Sequence, residues 1–229
     1  MNQDNKMDWW KMYEDRKCYN EKECKYNDMK RCAISAYSRC YEGVSSTLNV
    51  QNYKSEISSF MKDFSDNLKK EAQNCYENQR ISKGNRKIVP NAFTKSFIKM
   101  LKEIIPTAKT ETEINIISNK YKEAIGKKII DIRMTKTGTG AVFIEFKTVI
   151  SNNDIGAALF EAMVIDKKDE DKFYIVTLQS PGNFQRIKEM IKKEPFSKYI
   201  NDIFFLDSGA DMKELCDLLK EIDNHFSGK

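Results

Sequence analysis

Apolar positions recur at helical spacing through the first third of the chain, and the period changes to two near residue 128. Three amphipathic helices are predicted first, over Met7 to Glu23, Asn27 to Glu42 and Tyr53 to Asn78. In the third, Ile57, Phe60, Met61, Phe64 and Leu68 form one apolar stripe, with Lys and Glu on the other faces. Gly43 and Gly84 are the glycines of this region, and it holds no proline. The run Ser82 to Lys87 is polar and basic, Pro90 follows it, and it reads as a linker. The pattern therefore predicts an N-terminal helical region, 1–85, and a mixed region, 86–229.

Beyond the linker, Phe93 to Ile105 is predicted helical and stops at Pro106. Thr110 to Ile125 is predicted as a second helix, with Thr110 and Glu113 as a capping box and Gly126 as its C-terminal stop. Lys128 to Met134 and Ala141 to Ile150 are β-branched, apolar runs joined by Thr137-Gly138-Thr139-Gly140, a hairpin signal. A helix capped by Asn153 or Asp154 runs to about Asp166, a buried strand covers Phe173 to Gln179, and Ser180-Pro181-Gly182 is a turn. A helix over Asn183 to Lys193, a short strand over Ile203 to Leu206 and a closing helix over Asp211 to His225 complete a mixed α/β reading.

Of 229 residues, 40% are apolar and 32% charged, and the formal charge is +5. That balance permits a polyanionic partner without requiring one. The count of one histidine, His225, decides more. It excludes chemistry built on a histidine pair or on a histidine base inside a fold, so carboxylates and lysines must carry any catalysis. The first 25 residues are studded with charge and show no apolar leader, and no window approaches a membrane span; a cytoplasmic location is expected. Cys18, Cys24, Cys32, Cys40 and Cys75 lack the tight spacing of zinc ligands and are expected as reduced, buried thiols. Trp9, Trp10 and Tyr13 fit a helix core stripe, and no phosphate-binding G-x-x-x-x-G-K loop occurs.

Side chains alternate along a strand, so the hairpin has two distinct faces. Ile130, Ile132 and Met134 with Val142, Ile144 and Phe146 make an apolar one. Asp131 and Arg133 with Phe143, Glu145, Lys147 and Val149 make the other. A loop centred on Gly138 sets Asp131 opposite Glu145. Two unpaired carboxylates at cross-strand distance raise one another's pKa, and a divalent cation removes that conflict. The bland alternative is an exposed strand face on which Asp131, Arg133, Glu145 and Lys147 form ordinary salt bridges. Asp/Glu-x-Lys occurs eight times in this lysine-rich chain, but the copy at Glu145 is the one inside an apolar β-run and opposite an acid.

Asp131 followed by Glu145-Phe146-Lys147 on the next strand resembles the PD-(D/E)xK nuclease superfamily, which includes most type II restriction endonucleases. Ile130 stands where the family has proline. The resemblance covers about residues 93 to 206 and implies an αβββαβ core, with one hairpin evident where a third antiparallel strand is expected. It implies Mg²⁺, with Mn²⁺ as a substitute, held by Asp131, Glu145 and the Phe146 carbonyl, and Lys147 as the catalytic lysine. A further family acid on the preceding helix would be Glu113 or Glu123. Double-stranded DNA as substrate and a homodimer as the assembly follow from the same resemblance. Lys83, Arg86, Lys87 and Lys136 are candidate phosphate contacts, against a plain solvated surface. Gln179 and Asn183 are candidate base contacts, against turn formation with Asn183 as a cap. A structure-selective or RNA-directed nuclease and a non-catalytic binding module stay open as alternative readings.

Overall fold

In the computed structural model, the described residues are 52–78, 88–117, 124–150, 152–165, 168–179, 184–206 and 212–228. The two predicted helices before residue 50, the basic linker and the N-terminal cysteines lie outside them. The chain divides into two units at Met100/Leu101.

The first unit holds α1 (Lys54–Asn78) and most of α2 (Ile88–Ile104). The predicted stripe is the buried one: Ile57, Phe60, Met61, Phe64 and Leu68 all lie inside. Phe60 and Phe64 of α1 meet Phe93 and Phe97 of α2 edge-on, at centroid distances of 5.5–6.0 Å, an arrangement that aromatic quadrupoles favour. The buried Ser96 hydroxyl donates to the Ala92 carbonyl and accepts from Asn67 Nδ2, so its polarity is satisfied. Pro90 sits in the first turn of α2, where its missing N–H costs nothing.

The second unit is α/β, built on a five-stranded mixed sheet in the order β1-β2-β3-β4-β5. Its strands are β1 (Lys109–Ile117), β2 (Ala124–Thr135), β3 (Val142–Val149), β4 (Lys172–Gln179) and β5 (Asp202–Phe205). β1, β2 and β3 are antiparallel neighbours, while β4 pairs parallel to β3 and β5 parallel to β4. The parallel step is made by α3 (Asn152–Val164), and α4 (Phe184–Ile191) with the short α5 (Phe196–Tyr199) connects β4 to β5. Ile155, Ala158 and Ala162 of α3 cluster with Phe143, Phe173, Ile175 and Ile203. Beside the opposite face, α6 (Lys213–Ser227) buries Leu215, Leu218, Leu219, Ile222 and Phe226. Among the described residues no helix is long and apolar enough to cross a membrane.

The predicted helix over Thr110 to Ile125 is a correction: residues 109–117 are strand β1, and Gly126 lies inside β2 opposite Ile116. Thr110, Thr112, Ile114 and Ile116 are β-branched at every second position, and pairing along β2 rewards that alternation more than one capping box rewards a helix. A second correction follows from an irregularity in the β1–β2 ladder. Glu111 pairs with Arg133 and Glu113 with Ile129, so β2 carries extra residues between these points. A bulge breaks the alternation of faces, and Ile130 accordingly joins the α3-side cluster with Phe143 instead of Ile132 and Met134.

The two glycines of the β2–β3 loop do different work. Gly138 has φ +85°, a conformation that side chains disfavour. Gly140 is needed for proximity, since a Cβ there would lie 2.2 Å from the Glu170 carbonyl oxygen. Around this contact Asp171 accepts the Ala141 and Lys168 N–H groups, and His225 Nε2 meets the Gly140 carbonyl at 2.8 Å. Gly140→Ala is expected to cost about 2–4 kcal/mol, because backbone rather than a pliable side chain must yield. Urea denaturation checks this: an unchanged midpoint would show that the loop is less tightly held than its contacts require.

At the β5 edge the outward N–H groups are already taken. Asp202 Oδ1 accepts that of Ile203 at 2.7 Å and Glu214 Oε2 that of Phe205 at 3.0 Å. Such side-chain capping blunts an edge against pairing with another strand.

Candidate metal and hydrolysis site

The β2–β3 ladder pairs Met134 with Val142, Arg133 with Phe143 and Ile132 with Ile144, then ends. The pairs have the offset of the loop arithmetic, but the expected Asp131–Glu145 pair is not itself part of the ladder. There the Asp131 carboxylate replaces the ladder, since its Oδ2 accepts the Phe146 N–H at 2.7 Å. The bulge in β2 lies at this point, and bulges of this kind re-aim side chains. β3 meanwhile stays paired to β4, with Glu145 beside Ile175 and Lys147 beside Thr177.

Glu145 is only 7% exposed. Lys147 Nζ donates to its Oε1 at 2.7 Å. Burial, then the Asp131 charge, push the Glu145 carboxyl up from 4.5 to about 7, against the pull of Lys147. Burial opposes charge on Lys147 as well, but the Glu145 charge and hydrogen bond outweigh it and hold the lysine pKa above its ordinary value. Near neutrality the proton is therefore held at the lysine, and the glutamate is easily protonated.

Glu161 on α3 adds a third acid. From the sequence it reads as a surface residue of an apolar helix, yet it is half-buried. Its charge acts on both Glu145 and Lys147. The available signal was its place beside Ala158 and Ala162, on the flank of the buried stripe of the helix that follows β3.

Arg133 leaves the site. Its Nη1 bonds Glu111 Oε2 at 2.7 Å and its guanidinium lies 5.9 Å from the Phe143 ring centroid, so Glu145 keeps Lys147 as its cation. Glu113 belongs to strand β1 and not to a preceding helix. Glu123, Lys83, Arg86, Lys87 and Asn183 also fall outside the described residues. Gln179 ends β4 opposite Val149. Lys136 is tied to the C-terminal helix, donating from Nζ to the Phe226 carbonyl at 2.9 Å.

The donors at the site are hard oxygens, two of them carboxylates in electrostatic conflict, which suits Mg²⁺ chemically. Among the described residues no group of three or more His, Cys, Asp and Glu is disposed to hold a metal ion. Asp131 and Glu145 alone, with water completing the shell, match the sparse protein ligation that Mg²⁺ commonly has. A cleft of about 750 Å³ lies on the other side of the sheet, lined by Tyr174, Lys188, Glu214, Glu221 and His225 and not by this trio.

Comparison with protein-family models, with curated proteins and with solved structures finds no match in any of the three.

Proposed function

We propose that this chain is a divalent-cation-dependent nuclease of PD-(D/E)xK type that hydrolyses DNA phosphodiester bonds, in the manner of a type II restriction enzyme. One observation carries the reading: half-buried Asp131 lies beside the pair of buried Glu145 and half-buried Lys147, where an antiparallel ladder stops. The succession α2, β1, β2, β3, α3, β4 supports it, because β1 supplies the third antiparallel strand that the sequence left missing. Asp131 and Glu145 would hold the cation with the Phe146 carbonyl. When bound, the cation supplies Lewis-acid polarisation of the phosphate and lowers the pKa of its water. Lys147, held protonated, orients a water or a phosphoryl oxygen by hydrogen bonding from Nζ and opposes the negative charge that builds during displacement. Lys147 is half-buried beside buried Glu145, so bulk water screens that interaction less than at an open surface.

A specific observation favours a second reading, a binding module without catalysis. Glu145 is closed on Lys147 at 2.7 Å and Asp131 is bonded to backbone, which is how a purely structural network also looks. The discriminating experiment is incubation of the purified protein with supercoiled plasmid and Mg²⁺. Wild type is expected to nick or linearise it, EDTA to stop it, and Lys147→Ala to slow it by about 100-fold or more. Fixed fragments indicate sequence recognition, and junction- or single-strand-dependent products a structure-selective enzyme. Inert wild type, or Lys147→Ala cutting at the wild-type rate, overturns the assignment of this site.

A further inference from the structure

The cleft of about 750 Å³ is lined by β4 and β5 on one side and by α6 on the other, where Asp217, Glu221, Asn224 and Gly228 recur at helical spacing. Part of its charge is already matched. Lys188 Nζ donates to both Glu214 oxygens, at 2.7 and 2.8 Å, and lies 5.6 Å from the Phe204 ring centroid. The fully buried Tyr174 donates from its hydroxyl to Glu221 Oε2 at 3.0 Å. Burial first, then the Glu221 charge and hydrogen bond and the Asp202 charge, hold the Tyr174 phenol above its ordinary pKa, so both carboxylates act on the one hydroxyl. Asp202 stands beside Tyr174 in the β4–β5 pairing, and its Oδ1 is taken by the Ile203 N–H. Asp202 Oδ2 and Glu221 Oε1 are left as acceptors in the middle of the cleft. Two residues before Tyr174 on the same face of β4 stands Lys172, whose side chain makes no hydrogen bond or ion pair among the described residues.

We propose that this cleft binds a short zwitterionic peptide of two or three residues, its α-ammonium held by Asp202 and Glu221 and its terminal carboxylate by Lys172. The spacing of the two ends sets the length. Two residues along a strand cover about 7 Å, and an extended dipeptide spans about 7 Å, whereas the charges of a single amino acid lie closer together. The sign of the lining sets the rest. Asp202, Glu214, Asp217 and Glu221 oppose a polyanion, and Lys172, Lys188 and Lys220 oppose a bare cation, so a ligand that carries both signs is the one that fits. A quaternary ammonium is disfavoured, because aromatic faces hold such groups and Lys188 already occupies that of Phe204. A primary ammonium and a carboxylate each make charge-assisted hydrogen bonds with the groups left open, and these are the strong kind. The cleft also has the size usual for small-molecule sites. Binding here is expected whether or not the Asp131 site cuts DNA, since the two share no residue.

An NMR titration of the full chain with L-alanyl-L-alanine, following backbone amides near neutral pH, tests this. The amides of Lys172, Tyr174 and Asn224 are expected to shift, with a Kd of about 0.1–1 mM. Acetylating the peptide amine or amidating its carboxylate removes one of the two matched charges, and each is expected to weaken binding about 10-fold or more, as is replacing the peptide by free alanine. Glu221→Gln keeps the shape of the side chain and an acceptor for the Tyr174 hydroxyl, so it is expected to hold the wild-type Tm while binding dialanine about 10-fold more weakly. Lys172→Met, at a half-buried position, is expected to do the same from the carboxylate end. Wild type whose cleft amides do not move at about 10 mM dialanine overturns the proposal. So do capped peptides that bind as tightly as the free one, or folded variants that both bind like wild type.

Discussion

Glu145→Gln is expected to stabilise the protein at pH 8 while abolishing cleavage. The Glu145 carboxyl is raised from 4.5 to about 7, first by burial and then by Asp131. A carboxyl raised in the fold contributes stability fully present below about 4.5 and lost as pH climbs through about 7. At pH 8 its ionised form costs on the order of 3 kcal/mol relative to an unfolded chain that ionises freely. Gln is neutral at every pH, has the same shape and still offers Lys147 a carbonyl oxygen. The variant should therefore match wild type near pH 4.5 and gain several degrees of Tm at pH 8 in EDTA. Added Mg²⁺ should raise the wild-type Tm by mass action and leave the variant unmoved. A site that loses activity and gains stability together is built for a ligand. Wild type and variant tracking each other from pH 5 to 8 would mean that the Glu145 charge is already compensated within the chain.

The hairpin and its register were legible because each rests on local signals. Two glycines mark the loop, and β-branched runs of matched length flank it. The pairing of Ile132 with Ile144 has the expected offset. The helix over residues 152–164 and the closing helix were legible from their apolar spacing. β1 was not, because Thr110 and Glu113 mimic a capping box and Gly126 mimics a helix stop. Only the presence of β2 as a partner decides between helix and strand there. The bulge beside Asp131 leaves no sequence mark, since extra residues in one strand are defined only against the other. The half-burial of Glu161 was not legible for a related reason: which flank of an apolar helix faces a sheet depends on the crossing, not on the helix alone.

Removing the lysine should have the opposite sign and a steeper pH dependence. At pH 8, Lys147→Met leaves Glu145 ionised, 7% exposed and still pressed by the Asp131 and Glu161 charges, with its hydrogen-bonded cation gone. Breaking a buried pair by removing one partner costs about 3–5 kcal/mol. Protonation of Glu145 caps that loss, so its pKa in the variant should rise beyond about 7. At pH 5 the balance differs. Glu145 is then neutral in the fold, and burial works against the Lys147 charge. An apolar side chain of similar length should therefore change stability by less than about 1.5 kcal/mol. The gap between wild type and variant thus opens as pH rises from 5 to 8. Adding Glu145→Gln to Lys147→Met should recover most of the loss at pH 8, because no charge is left stranded. Urea denaturation of the four proteins at both pH values completes the cycle, with a coupling of about 1–3 kcal/mol expected at pH 8. Equal losses at pH 5 and pH 8 would mean that Lys147 supports the fold by packing, and that its charge is not what holds Glu145 ionised.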